Sequence, residues 1–450
     1  MAGNLSMTSA PTTQEQLYLE TFQRFESDGW AKDPAWVNDL RRSAMERFKE
    51  LGFPTARRGN EAWKYTDIAP IARTPFSAAF KARHDLVPEP EVERSAFAGS
   101  RMSRLVFVDG HYQPALSATT AVPSGVVLTN LAEAMHMYPE LVRKHLAQHA
   151  SYQVDAFTAL NTAFIHDGAF ISVPDNTDIE GPIQVLFLSS SQVEPIAAHP
   201  RLLVVVGKGS SVSILETYAG LSDGSTFTNA VAEYVAGEGS TIHRYRLQRE
   251  SAQAFHVATT QADCQRDSRF DSVAIDMGAK LARHNLNVLM GAEGAACSLD
   301  GLYSVEDGQH VDNQIFVDHA TPHTTSHQLY KGILDGKSHA VFNGRVLVRP
   351  DAQKTEAHQV NKNLMLSERA EVDTKPQLEI FADDVKCNHG AAVGQIDQNA
   401  LFYMKSRGMD ERTARSLLMH GFVSEVIEGI AHVPIRALMD GIVQDRLAER

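Results

Sequence analysis

Three patterns of hydrophobic and polar positions follow one another along the chain. Up to about residue 168 the pattern is mostly helical. Val37, Leu40, Ala44, Phe48 and Leu51 recur at helical spacing, as a helix with one buried face requires. Asp33-Pro34 is a natural opening, because Asp can cap free backbone N–H groups and Pro is preset for the first turn; Gly52 and Pro54 stop the pattern. Residues 104–108 and 112–116, joined through Asp109-Gly110-His111, predict a hairpin. Residues 128–148 and 155–165 predict further helices.

From residue 169 to 394 long helical stripes give way to short β-rich runs (183–188, 201–206, 212–215, 229–235 and 340–348) separated by Gly, Asp and Asn turns. One self-similarity is specific: Gly207-Lys208-Gly209-Ser210-Ser211-Val212 returns as Gly237-Glu238-Gly239-Ser240-Thr241-Ile242, each copy after an apolar strand, with a weaker echo at Gly291-Ala292-Glu293-Gly294. Repeats of this size point to a solenoid whose coils stack on a shared interior. A β-helix suits a unit of strands and tight turns, and a β-sandwich also uses short, regularly spaced strands. The pattern alone leaves both open.

Residues 395–450 return to helix. Residues 398–406 form a short one closing at Gly408. Asp410 can cap the next, whose apolar face reads as Ala414, Leu417, Leu418, Phe422 and Val426; the last opens at Pro434 and carries Ile435, Leu438, Met439, Ile442 and Val443. Such an appendage must dock on the solenoid's end or on a partner. The expected organisation is thus 1–168, mostly helical; 169–394, the β core; and 395–450, helical.

Composition narrows the function. With 450 residues the chain exceeds one typical core, so a large domain with attached elements is expected. A net charge of −13 argues against nucleic-acid or anionic-membrane partners, which need clustered Lys and Arg. No apolar run is long enough to span a bilayer, and Met1 to Thr13 reads as a floppy tail rather than a signal peptide. Three cysteines, Cys264, Cys297 and Cys387, fit neither a disulfide framework nor a four-Cys zinc site, which suits a reducing cytoplasm.

Several motifs tempt and fail. Gly220-Leu221-Ser222-Asp223-Gly224 has the letters of a nucleophile elbow, yet a strand-like run follows it where a helix is required. Gly332-Ile333-Leu334-Asp335-Gly336-Lys337-Ser338 is one residue too short for a P-loop and also precedes a strand. His319, His323 and His327 would align on a helix, which Pro322 and the neighbouring threonines oppose. Cys387-Asn388-His389-Gly390 is different. In a strand Cys387 and His389 project to one face, and thiolate with imidazole is a ligand pair suited to iron or zinc. Two ligands do not close a site, so a metal role requires more ligands from another coil or chain; a buried structural Cys beside a satisfied His is the bland alternative.

In order along the chain, Asn60-Glu61-Ala62-Trp63-Lys64-Tyr65-Thr66-Asp67, Tyr330 to Gly336 with Val341-Phe342-Asn343-Gly344, Asp351 to Thr355, Leu378-Glu379-Ile380, Asp383 to Ala391 and Leu401 to Gly408 resemble the SufB/SufD family of iron–sulfur cluster assembly scaffolds. The Trp-Lys-Tyr-Thr segment and the Cys-x-His-Gly-Ala form favour the SufD side of that family. The resemblance implies a right-handed parallel β-helix flanked by N- and C-terminal α-helical regions, in a cytoplasmic, non-catalytic subunit. It implies pairing with SufB through the β-helix ends and with two copies of the ATPase SufC through the C-terminal helices, with Phe402, Tyr403, Ser406, Arg407 and Gly408 in the docking region. His389 would be essential at the SufB interface, with Cys387 as a neighbouring metal ligand. The isolated chain would hold no tightly bound cofactor and could form a homodimer; the complex would carry a transient iron–sulfur cluster and reduced FAD, for which no residues are identifiable. A carbohydrate-active β-helix enzyme is a competing reading that lacks an evident carboxylate set, and a pure interaction protein without metal contact is a third.

Overall fold

The computed structural model describes residues 13–30, 33–56, 60–78, 89–191 and 194–449. The tail expected for Met1–Thr13 lies outside these residues except for Thr13, which opens helix α1 (Thr13–Gly29).

The repeated unit is a strand, a tight turn, a second strand and a second turn, advancing about 30 residues per coil. Eight such coils stack into a parallel β-helix with two facing sheets. The first sheet runs through Gly168–Val173, Arg201–Val206, Thr226–Ala236, Phe255–Cys264, Leu281–Met290, His310–His319, His339–Val348 and Glu371–Ile380. The second runs through Ile183–Ser189, Ser211–Gly220, Thr241–Arg249, Arg269–Asp276, Ala296–Val305, Thr325–Leu334, Glu356–Met365 and Lys386–Gly394. Each pair of strands, one from each list in order, makes one coil. The two glycine-rich repeats are the turns from first to second sheet in coils two and three. They stack with Ser211 opposite Thr241, and Gly209 and Gly239 both adopt positive φ, which glycine takes without steric cost.

The interior is apolar in the early coils, with Val185, Leu202, Val204, Ile214 and Phe187 in one continuous core. Further along it becomes polar. Arg244 pairs with Glu216 (2.6 Å) and Arg246 with Asp276, all four side chains nearly solvent-free. Tyr234 donates to Glu216 (2.5 Å), and His256 lies against Glu250 (2.7 Å). Buried charges persist only when paired and hydrogen-bonded.

The solenoid's start is covered. Ser103–Val108 adds to Ile183–Ser189 in parallel, and Val127–Asn130 adds to Gly168–Val173 antiparallel. The predicted hairpin forms only as Val108 opposite His111 and Phe107 opposite Tyr112, because Pro114 begins a 3₁₀ turn. Helix α2 (Ala35–Leu51) has the expected stripe; Asp33 does not cap it but pairs with buried Arg41 at 2.7 Å. The single helix expected over 128–148 is instead the strand Val127–Asn130, α3 (Leu131–Met137) and α4 (Pro139–His145). The break falls at Tyr138, whose φ and ψ are non-helical as the residue before proline commonly is. Helix α5 (Ala156–Ala163) is capped by Asp155, which accepts from Thr158 N. Helices α1, α2 and α5 pack on the outer face of the first sheet through Phe22, Phe48, Phe157, Phe227 and Phe255.

The C-terminal helices α6 (Gln398–Ser406), α7 (Glu411–Glu428) and α8 (Val433–Ala448) dock on the outer face of the second sheet, against Leu215, Tyr245, Val273, Leu302, Leu329 and Ile333. Lys331 fixes them by donating to Phe422 O and pairing with Glu425, both at 2.7 Å. The buried stripe of α7 is Ala414, Met419, Val423, Val426 and Ile427; Leu417, expected inside, is exposed. In α8, Ile435, Met439 and Val443 are buried as the spacing predicts. Among the described residues no helix is long and apolar enough to cross a membrane.

Candidate functional site

The far end of the solenoid has no cap. Glu371–Ile380 and Lys386–Gly394 end their sheets with no strand beyond them in the described residues. Every residue of Lys386–Gly394 is exposed except half-buried Cys387, whereas Thr226–Ala236 is buried at all eleven positions. Such a bare edge offers unpaired backbone N–H and C=O groups to another strand. Pro376 sits in Glu371–Ile380, an edge position proline tolerates.

Register fixes where the candidate ligands lie. Cys387 follows Ala357 and His389 follows Gln359 in stacked columns of the second sheet. The Cys387 column runs back through Ser326, Cys297, Phe270, Ile242 and Val212, four of which line the core. Cys387 and His389 therefore stand on the inward face of the last strand, at the solenoid's open mouth. The sequence-predicted pair shares a face, and no third protein ligand joins it: among the described residues no group of three or more His, Cys, Asp and Glu is arranged to hold a metal. Burial pushes the Cys387 thiol up, partly offset by a hydrogen bond with the Ala357 backbone. It is a thiol near neutrality, and a metal would have to displace its proton. Cys264 and Cys297 are enclosed in the core, Cys264 pushed up to about 12 by burial, so they are structural.

The three spaced histidines do not converge. His319 is buried between Thr324 Oγ1 (2.8 Å) and Ser326 Oγ (2.9 Å), and burial lowers it to about 4. His323 occupies a turn with positive φ, and His327 lies outside, beside Asp300. The elbow-like segment is the turn ahead of Thr226–Ala236, and the P-loop-like segment turns into His339–Val348. Neither is followed by the helix its chemistry needs.

On α6, Phe402 is 74% and Tyr403 58% exposed. Arg407 donates to the Tyr403 hydroxyl (2.8 Å) and lies 5.1 Å from its ring centroid, Ser406 bonds back to Tyr403 O (2.7 Å), and Gly408 ends the helix with φ 88°. Leu401 anchors the helix beneath. The five residues thus form one exposed patch, with two aromatics, on a region fixed to the solenoid.

The segment 60–67 has a role that sequence reasoning missed. Trp63 is buried with the Arg283 guanidinium 3.7 Å from its ring centroid. Thr66 donates to Asp312 (2.5 Å) and lies 2.9 Å from His310 Nε2; Glu61 pairs with Lys375 of the last coil (3.2 Å). The segment is a clasp holding the N-terminal region on the first sheet, and contacts across about 250 residues leave no local signal.

Comparison with known proteins agrees with this architecture. Residues 187–422 match the family model for the SufBD core domain of SUF-system FeS cluster assembly, and residues 12–185 match that for the SufBD protein N-terminal region. The chain is 35% identical over 427 residues to an iron–sulfur cluster assembly SufBD family protein of Synechocystis sp., covering 92% of this chain and 91% of the relative. It is 29% identical to the iron–sulfur cluster assembly protein SufD of Escherichia coli (90% and 91% covered) and 25% identical to that of Bacillus subtilis (96% and 98% covered). With a two-sheet parallel β-helix, helical flanks and these matches over nearly its whole length, the chain belongs to the SufBD family of iron–sulfur cluster assembly proteins.

Proposed function

We propose that this chain is a non-catalytic scaffold subunit of a cytoplasmic SufBCD complex, and that an iron–sulfur cluster is assembled where its open mouth meets SufB. The observation that carries this reading is the contrast in capping: one end of the β-helix is sealed by its own strands, while the other leaves two sheet edges bare beside inward-facing His389 and Cys387. Pairing with a second β-helix would continue both sheets and bring further ligands to the incomplete pair. The nascent cluster is cargo, held while the partner supplies the rest of its coordination. In the isolated chain the same edges would pair two copies as a homodimer.

Residues 395–450 would dock the ATPase SufC through Phe402, Tyr403, Ser406, Arg407 and Gly408. Large aromatics beside an Arg are the composition of binding hot spots, and their position on a region tied to the solenoid by Lys331 gives ATPase movement a route to strain the interface. The reduced flavin implied by the family resemblance receives no residues. A groove of about 600 Å³ is lined by Trp63. Its amides already bond one another: Asn343 donates to Gln314, Gln377 to Asn343 and Gln314 to Asp312.

Affinity purification of the tagged full chain from its native cell tests the reading. An ABC-type ATPase and a homologous β-helix subunit are expected by mass spectrometry, both retained through gel filtration. Recovery of neither partner would overturn it.

A further inference from the structure

The rim of the last coil is chemically one-sided. Among the described residues of 169–394, the large apolar side chains left exposed are Ile380, Phe381 and Val393, and all belong to that coil. Around them residues 371–394 carry five acids (Glu371, Asp373, Glu379, Asp383 and Asp384) against two bases, Lys375 and Lys386. Residues 339–365 of the coil before carry four bases against two acids. The change of sign follows a rule of stacking. Along the first sheet and the turn after it, Arg283 of coil five pairs with Asp312 of coil six. Asp318 of coil six meets Arg349 of coil seven at 2.7 Å. Coil seven then offers Arg345 to Glu379, His339 to Asp373 and Lys354 to Asp384 of coil eight. Lys386 with Glu356, on the second sheet, runs the other way. Glu371 and Asp383 are exposed and stand outside these pairs.

We propose that the open end selects a partner whose own end coil is basic: a β-helix of opposite rim charge that continues the alternation and covers Ile380, Phe381 and Val393. A second copy of this chain brings the same apolar side chains but an equally acidic rim, so self-pairing works against like charges. Attraction on one side and repulsion on the other thus decide between a different subunit and a second copy. This rests on the reading of the open end as an interface and adds the chemistry of what occupies it.

Salt and charge reversal test it on the full chain. Binding of the co-purified β-helix subunit should weaken about tenfold between about 0.05 M and about 0.5 M salt, because screening weakens attraction. Self-association, followed by analytical ultracentrifugation, should strengthen over the same range, because screening also weakens repulsion. The double variant Glu371→Lys, Asp383→Lys changes two exposed positions, so its thermal unfolding should match wild type. It should bind the subunit about tenfold more weakly, and its equimolar mixture with wild type should associate more tightly than wild type alone. Subunit binding unchanged by the reversal, or a mixture that associates no better than wild type, would overturn the proposal. Recovery of no β-helix subunit would count against the proposed function instead, and the mixture would still decide the charge rule.

Discussion

The two ends of the β-helix are built to opposite specifications. At the start, Phe107, Phe187 and Tyr218 stack through the first coils with centroids 5.2 and 5.1 Å apart, and strands from the N-terminal region extend both sheets. At the finish, Ile380, Phe381 and Val393 are exposed and the edges are free. Each coil of a solenoid is stabilised by its neighbours, so an end must be capped or covered. One cap is contributed by the chain; the other end carries none among the described residues, and the candidate ligands sit there.

The largest expected effect contrasts the buried interior with the exposed end. Arg244→Met strands the Glu216 carboxylate, which Arg244 holds below the usual range against the effect of burial. It should cost about 3–5 kcal/mol in urea unfolding. Lys386→Ala removes an exposed ion pair between the last coil and Glu356 of the coil before it and should leave the unfolding midpoint unmoved. Equal effects would erase the distinction.

Acid should also act unevenly. Burial lowers His166 and His310 to about 4 and His199 to about 3, and all three lie where the N-terminal region meets the solenoid. Unfolded histidines take up protons near 6.5, so the stability these sites contribute is complete above that value and is lost as pH falls toward 4. On the order of 1–3 kcal/mol per site is at stake. His149 works in the other direction: burial disfavours its charge, but Asp263 and Glu233 outweigh it and raise it. Hydrogen-exchange protection, taken relative to the intrinsic amide rate at each pH, should therefore fall between pH 7.5 and pH 5 in α5 and residues 60–67 more than in α7 and α8. A uniform loss of protection would show that the histidines do not localise the effect.

A smaller effect, about 2 kcal/mol or roughly thirtyfold in affinity, is expected for Phe402→Ala on ATPase binding. Titration calorimetry would measure it, with the unfolding temperature unchanged because the ring is exposed.

Much of this architecture was legible in the sequence. The Gly-x-Gly-Ser repeat marked one coil, and apolar runs marked strands; the family resemblance then selected the β-helix over the sandwich. Other features were hidden for physical reasons. In Thr241–Arg249 the apolar residues Tyr245 and Leu247 face the C-terminal helices, while Arg244 and Arg246 point inward, so reading the apolar face as the inner one fails. Thr226–Ala236 shows no alternation in burial because helices cover its outer face. The pairing of Cys387 with His389 could be read from strand parity; that they end an inward column at an open mouth needed the register. The Thr66–Asp312 clasp had no sequence signature.

Whether the cluster forms at the open mouth is decided by His389→Ala in the co-expressed complex, comparing bound iron and acid-labile sulfide with wild type after confirming that all subunits co-purify. The variant complex should assemble and form no cluster. Wild-type cluster content in the variant complex would show that His389 takes no part in building the cluster.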